Sequence, residues 1–267
     1  MKTCFSTLAC PNWTLTQAVE LAVSSGYDGL ELRFLEGEDA LWKLAAFQGA
    51  RLRQAKRLLE ENGLSVACVG TSCRFHSPDV RERERWVEEG KRMAELAAVL
   101  GSPGIRVFGD KIQPSADRAS TRSWIAEGIR RLAEWANGVG VWLESHGDFA
   151  SSAETLQILR DVGNHDVSVV WDPANGFTDG KEDPVPAARK FGNKLRHVHL
   201  RDLDCRDGEW HPVLAGEGTF PVRAIVTELR RLRYDGFVSF EWEKKWWPQL
   251  AEAEIAVPQF AEWLRAQ

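Results

Sequence analysis

Eight times along this chain a short run rich in apolar and β-branched residues gives way to a longer segment of helical period, and no other feature limits the fold as strongly. Strands joined by helical crossovers pair in parallel. The first strand is read over residues 3–9 and its helix over 15–24. DGLELRF (28–34) is the second strand, followed by one long helix across LWKLAAFQGARLRQAKRLLEENG (41–63) that ends at Asn62-Gly63. GLSVACVG opens the third unit. Its helix, over 80–100, sets Trp86, Met93, Leu96, Ala97 and Leu100 on one face and a solvated RERER run on the other. The remaining strands are read at GIRVFG, GVWLES, VSVVWD, LRHVHL and GFVSFE, each followed by a polar loop and a helix. Alternating units also build open doubly wound sheets, but eight of them in 267 residues with no GxGxxG loop favour closure. The expected class is α/β, a (β/α)8 TIM barrel, with 1–267 read as a single domain.

Charge and cysteine content remove several classes of partner. The 34 basic residues are scattered among acidic ones and the net charge is −5, so no stripe for nucleic acid is expected. Cys4, Cys10, Cys68, Cys73 and Cys205 make an odd count without a CxxC pair, which argues against a disulfide framework or a thiolate metal site and for a reducing cytoplasm. No window reaches the roughly 18 apolar residues of a membrane span, and MKTCFSTLACPNW lacks a signal-type apolar run, so a cytoplasmic protein without a membrane partner is expected. A homo-oligomer is compatible with this composition.

Side-chain parity within the later strands points to the chemistry, because alternate residues face opposite sides of a strand. In the fifth strand Trp142, Glu144 and His146 oppose Val141 and Leu143, and in the sixth Ser168, Val170 and Asp172 oppose Val169 and Trp171. In the seventh His197, His199 and Arg201 oppose Val198 and Leu200, and in the eighth Ser239, Glu241 and Glu243 oppose Val238, Phe240 and Trp242. Glu144, Asp172, His199 and Glu241 each lie near a strand's C-terminal end, where barrel active sites are built. Any one of them alone would be read as a polar loop residue; their recurrence on four consecutive strands is what carries weight. Three carboxylates buried together lose hydration and repel unless a cation neutralises them, and with one imidazole they form a hard, oxygen-rich donor set. One divalent metal ion is expected there, with Mn²⁺ favoured and Co²⁺, Mg²⁺ or Zn²⁺ compatible.

Other residues have competing readings. His197 lies two residues deeper than His199, which suits a hydrogen-bonded core histidine. His146 and Asn175, a short step beyond proposed ligands, are candidates for substrate hydroxyls, against a plain loop-ordering role. Arg201 and Lys245 are candidates for a hydroxyl or anionic substrate group, against a surface ion pair with Asp202 or Glu243. Glu31 and Arg33 repeat the polar parity in the second strand and are candidates for the opposite wall of the site, against a salt bridge filling the barrel mouth, which accounts for them equally well. WEKKWW (242–247) offers aromatic faces to a sugar or packs its own loop. His76 follows the third strand towards the cleft, while His165 and His211 are read in loops without chemistry.

The motifs GVWLESHGDF, VVWDPANGF, LRHVHLRD, GEG and YDGFVSFEWE resemble those of the xylose isomerase-like barrel superfamily, particularly its sugar-phosphate isomerase/epimerase branch, over nearly the whole chain. The resemblance implies the same four ligands, with Glu144 and Glu241 also serving as acid and base. Ketose 3-epimerases of this superfamily carry a histidine three residues after the metal-binding Asp, where Asn175 stands here, and their substrate-binding Arg after the seventh strand has no clear match. The superfamily also includes inosose and dehydroshikimate dehydratases, hydroxypyruvate isomerases and DNA-repair endonucleases. The acidic balance argues against an endonuclease, and a non-catalytic sugar-binding barrel is the alternative of another class. The expected function is a divalent-metal-dependent isomerase or epimerase of a small sugar, ketose or polyol, working through an enediolate, with dehydration as the rival outcome.

Overall fold

A computed structural model describes residues 1–267 except Asn137, Asn164 and His165; the loop expected at His165 lies outside the described residues. Strands β1 (Lys2–Ser6), β2 (Gly29–Leu32), β3 (Ser65–Arg74), β4 (Gly104–Phe108), β5 (Gly140–Glu144), β6 (Val167–Trp171), β7 (Leu195–Leu200) and β10 (Phe237–Phe240) close a parallel barrel in the order β1-β10-β7-β6-β5-β4-β3-β2. Asp202–Arg206 and Glu209–Val213 form a separate antiparallel pair, β8 and β9. Helices lie between successive strands, as the alternation of periods requires. The chain forms two compact units, Met1–Ala67 with His197–Gln267, and Cys68–Arg196.

In the first unit the register aligns Cys4 with Gly29 and Ser239, and Ser239 with His199, while Ser6 faces Glu31 one step higher. Alternation sends Phe5 and Phe240 to the opposite side, where Phe240 stacks on Phe260 with ring centroids 4.3 Å apart. Phe260 belongs to α9 (Ala253–Arg265), which packs beside α1 (Leu15–Ser25). The latter opens with a Thr14/Gln17 capping box and closes on Gly26 at φ 72°.

In the second unit Trp142 fills the interior with Cys68 and Val170. Glycine heads both β4 and β5 because a Cβ at Gly104 would come within 2.3 Å of the Trp142 ring and one at Gly140 within 2.4 Å. Helix α3 (Val80–Leu100) starts at the Asp79 cap and ends at Gly101, with the bounds the sequence indicates. Its buried stripe is Val87, Gly90, Met93, Ala94, Leu96, Ala97 and Leu100; Trp86 is half-buried rather than a core residue, and Arg85 lies 4.9 Å from its ring.

Several expectations are corrected. The first strand stops at Ser6, where the Ser6 hydroxyl caps a 3-10 turn over Thr7–Ala9. The helix expected across 41–63 is three pieces: 3-10 turns at Leu41–Lys43 and Ala45–Phe47, then α2 (Gly49–Glu61). Extended backbone at Leu44 and Gln48 and a φ of 53° at Gly49 break the path, while Leu41 and Phe47 are buried. β3 runs on to Arg74, past the end of GLSVACVG. After β7 the expected polar loop contains the β8/β9 hairpin, and the expected helix follows it as α8 (Val222–Arg231). The Asp202 carboxylate accepts N–H bonds from Leu203, Gly216 and Gly218 at its base. A Cβ at Gly218 would lie 2.2 Å from the Leu203 carbonyl oxygen, which explains the second glycine of GEG. Among the described residues no helix is long and apolar enough to cross a membrane.

Candidate metal centre

In the first unit the candidate donors are His199, near the C-terminal end of β7, and Glu241, the residue after β10. The His199 side chain is fully buried, and its Nδ1 lies 3.1 Å from Glu241 Oε1. Its other nitrogen, Nε2, lies 3.0 and 3.1 Å from the two oxygens of Glu31, and His197 Nε2 lies 2.8 Å from Glu31 Oε2. Burial alone would raise the Glu31 carboxyl, but the charge of His199 and hydrogen bonds from both imidazoles outweigh it and hold the group well below the ordinary carboxylate range. Burial pushes His197 down against the pull of Glu31, which suits a neutral N–H donor. The expected core role of His197 therefore fits. The expected salt bridge of Glu31 with Arg33 does not: Glu31 turns to the imidazoles, and Arg33 Nη1 lies 3.9 Å from Asp39.

Arg201 Nη1 donates to Glu241 Oε2 at 2.9 Å and its Nε lies 3.5 Å from Glu243, with the Arg201 side chain 6% exposed. It is a buried, charge-assisted partner of a proposed ligand rather than one half of a surface pair. The alternative pairing with Asp202 fails because that carboxylate is committed to the hairpin base. Lys245 Nζ rests 4.8 Å from the centre of the Phe34 ring, and Trp246, 55% exposed, meets the same ring edge-on. Trp242 is buried and donates to the Ala251 carbonyl, and Trp247 meets His211, so WEKKWW mostly packs its own surroundings.

In the second unit Glu144, the last residue of β5, lies 3.2 Å from the Arg106 guanidinium Nε, both side chains being about 5% exposed or less. Arg106 Nη1 donates to the Thr71 carbonyl and the Thr71 hydroxyl donates back to the Arg106 carbonyl, each at 2.8 Å. Asp172 is placed by helix capping: with Pro173 at the first position of α6 (Pro173–Thr178), its Oδ1 accepts the Asn175 N–H at 2.9 Å. The Ser145 hydroxyl brackets the Asp172 backbone, accepting from its N–H at 2.9 Å. Asn175 is half-buried within that short helix. His146 is about one-third exposed, its ring centroid 5.0 Å from that of Phe108 and its Nδ1 4.0 Å from Asp110, which pairs with Arg74 at 2.7 Å. His76 is buried, and burial lowers its pKa.

One residue, Arg106, and the partners of another, Glu31, escaped the sequence reading. Arg106 faces inward in the middle of GIRVFG, and a cation at an apolar strand's centre is itself a signal of a buried anion to pair with. Glu31 was visible as an inward acid but not as the partner of two histidines from a strand more than 160 positions away.

The sequence matches the Xylose isomerase-like TIM barrel family over residues 19–267. It is 22% identical over 180 residues to the inosose dehydratase of Clostridium perfringens, an alignment covering 60% of this chain and 61% of that protein, about three-fifths of its length. The fold is similar to the 3-keto-D-glucoside 4-epimerase YcjR of E. coli, with a TM-score of 0.80, 19% identity and 100% of each chain covered. It is equally similar to the IOLI protein with a binding zinc atom, with a TM-score of 0.80, 19% identity and coverage of 100% of this chain and 97% of that one. Over nearly all of its length, then, the chain belongs to the Xylose isomerase-like TIM barrel family.

Proposed function

We propose that the protein is a divalent-metal-dependent enzyme that transfers a proton beside the carbonyl of a sugar, ketose or polyol-derived substrate, an isomerase or epimerase working through an enediolate. The observation that carries this reading is the donor set: Glu144, Asp172, His199 and Glu241 are all buried, and each offers a ligand atom within 4.8 Å of the others. Three carboxylates and one imidazole fit a hard divalent cation, which offsets the repulsion and desolvation of the acids. Mn²⁺ is our preferred ion, and Co²⁺, Mg²⁺ or Zn²⁺ suit the same donors; the zinc in the similarly folded IOLI protein supports a metal here. When bound, such an ion supplies a Lewis acid that polarises a carbonyl and stabilises negative charge on its oxygen.

Glu144 and Glu241 are the proposed acid and base. Arg106 lies 3.2 Å from one oxygen of Glu144 and Arg201 donates to one oxygen of Glu241, so each carboxyl group has a cation that orients it. One, ionised, takes the proton from carbon, and the other, protonated, delivers its own proton to the neighbouring carbon or the opposite face. His146, Asn175 and Lys245 are proposed to contact substrate hydroxyls, and Arg201 to serve an anionic group while it holds Glu241.

Dehydration is the second reading, favoured by the similarity to an inosose dehydratase. The same enolate can expel a β-hydroxyl instead of being reprotonated. Proton NMR in D₂O, with the Mn²⁺-loaded protein and a panel of ketoses, inososes and dehydroshikimate, separates the outcomes. Deuterium in an isomerised or epimerised product supports the first reading, and loss of water supports the second. Binding without exchange or product would leave a sugar-binding barrel.

A further inference from the structure

We propose that Glu31 is a positioning residue for the metal site, gripping His199 through Nε2 so that Nδ1 is presented to the ion. The inference rests on the metal reading above. Glu31 lies on β2, is fully buried, and is absent from the four-residue donor set, although with His197 and His199 it makes a second group whose atoms are close enough to hold a cation; an ion held there, on Nε2, would overturn the proposal. Its Oε2 is within 3.0 Å of an Nε2 from each of His197 and His199, and its Oε1 is 3.1 Å from the latter. A carboxylate accepts only, so the facing ring nitrogens are donors and His199 carries its proton on Nε2.

The consequence falls on the other side of the ring. Nδ1 faces Glu241 Oε1 at 3.1 Å, so two electron pairs confront each other at hydrogen-bond distance unless a proton or a metal ion lies between them. A neutral imidazole with Nε2–H and a bare Nδ1 is the form that ligates metal, and an outer carboxylate is the usual device for fixing that tautomer and the ring's rotation. His197 completes the arrangement. It shares Oε2, and its ring meets that of His199 nearly at right angles, 88° with centroids 5.4 Å apart, so the acid cannot swing away without losing both bonds. A bland alternative is a core ion pair that merely fills space. Such a pair would need no defined side of the ligand ring, and apolar residues of similar volume often replace one without loss of stability.

Two measurements decide. In the zinc-loaded wild-type protein labelled with ¹⁵N-histidine, long-range proton–nitrogen spectra are expected to place the His199 proton on Nε2 and a metal-shifted resonance on Nδ1; a proton on Nδ1 overturns the proposal. In parallel, Co²⁺ affinity and the visible Co²⁺ bands are compared for wild type and Glu31→Gln, with the melting of both metal-free proteins as a fold control. Weakening by about 10–100-fold with displaced bands is expected. Unchanged affinity and bands would mean that Glu31 only fills the core. If Glu31→Gln fails to fold, the spectrum of the wild type still decides. A wild type that binds neither zinc nor cobalt would instead sink the donor-set reading and this inference with it, an outcome distinct from equal binding by both proteins.

Discussion

Glu144 and Glu241 lie against one arginine each, and the two pairings make different substitutions informative. Glu144→Gln and Glu241→Gln should each lower turnover by about 10²–10⁴-fold, the usual contribution of a positioned acid or base; full turnover with metal retained in both would remove them from catalysis. Arg106→Met asks a separate question, because it leaves the buried Glu144 without its cation. We expect a loss of roughly 3–5 kcal/mol in urea unfolding of the metal-free protein, and a loss under about 1 kcal/mol would contradict the pairing. The cysteines give an independent check on side-chain placement. Cys4, Cys10, Cys68 and Cys73 are buried and Cys205 is exposed, and burial pushes the Cys10 thiol up to about 12. At pH 8 a disulfide reagent should titrate one thiol in the native protein and all five after denaturation. Rapid reaction of a second native thiol would misplace one of the four. At this scale the sequence already offered the candidate donors, because parity is a local property. The partners Arg106 and Glu31 were less legible, since pairing depends on which strands meet across an interior.

Two glycines hold whole elements in place. Gly104→Ala would drive a methyl group into the Trp142 ring and Gly218→Ala would drive one into the Leu203 carbonyl. Each should cost about 1–3 kcal/mol by overpacking, read from denaturant midpoints, and a neutral result for both would mean that the backbone yields easily. The same elements show what the chain makes readable. Strands β4 to β7 were legible because their runs are short, apolar and bounded by glycine or proline, and helix α3 because its amphipathic period is bounded by the Asp79 cap and Gly101. The segment over 41–63 was not, since LWKLAAF has a helix-like apolar spacing, and the extended backbone at Leu44 and Gln48 that breaks it into turns leaves no mark in that spacing. The β8/β9 hairpin was missed for another reason: its clamp is the Asp202 carboxylate reaching backbone N–H groups 14 and 16 positions on, a contact no local period encodes.

For the molecule as a whole, alternation of eight strands with helices and the absence of a phosphate loop pointed to a closed barrel, and the strands do close one. Barrel closure also explains why the sequence alone could nominate a candidate site: strand ends on neighbouring staves must converge, whatever the loops do. A ligand that binds only the folded chain stabilises it, so Mn²⁺ at a hundred times its dissociation constant should add about 2.7 kcal/mol, and EDTA should reverse the gain. The most direct test of the account is the metal content of the purified, Mn²⁺-equilibrated protein and of Glu144→Gln, Asp172→Asn, His199→Gln and Glu241→Gln, measured by mass spectrometry after gel filtration. We predict one ion per chain in the wild type and marked loss in each folded variant. A wild type without an ion, or four variants that all keep theirs, would contradict it.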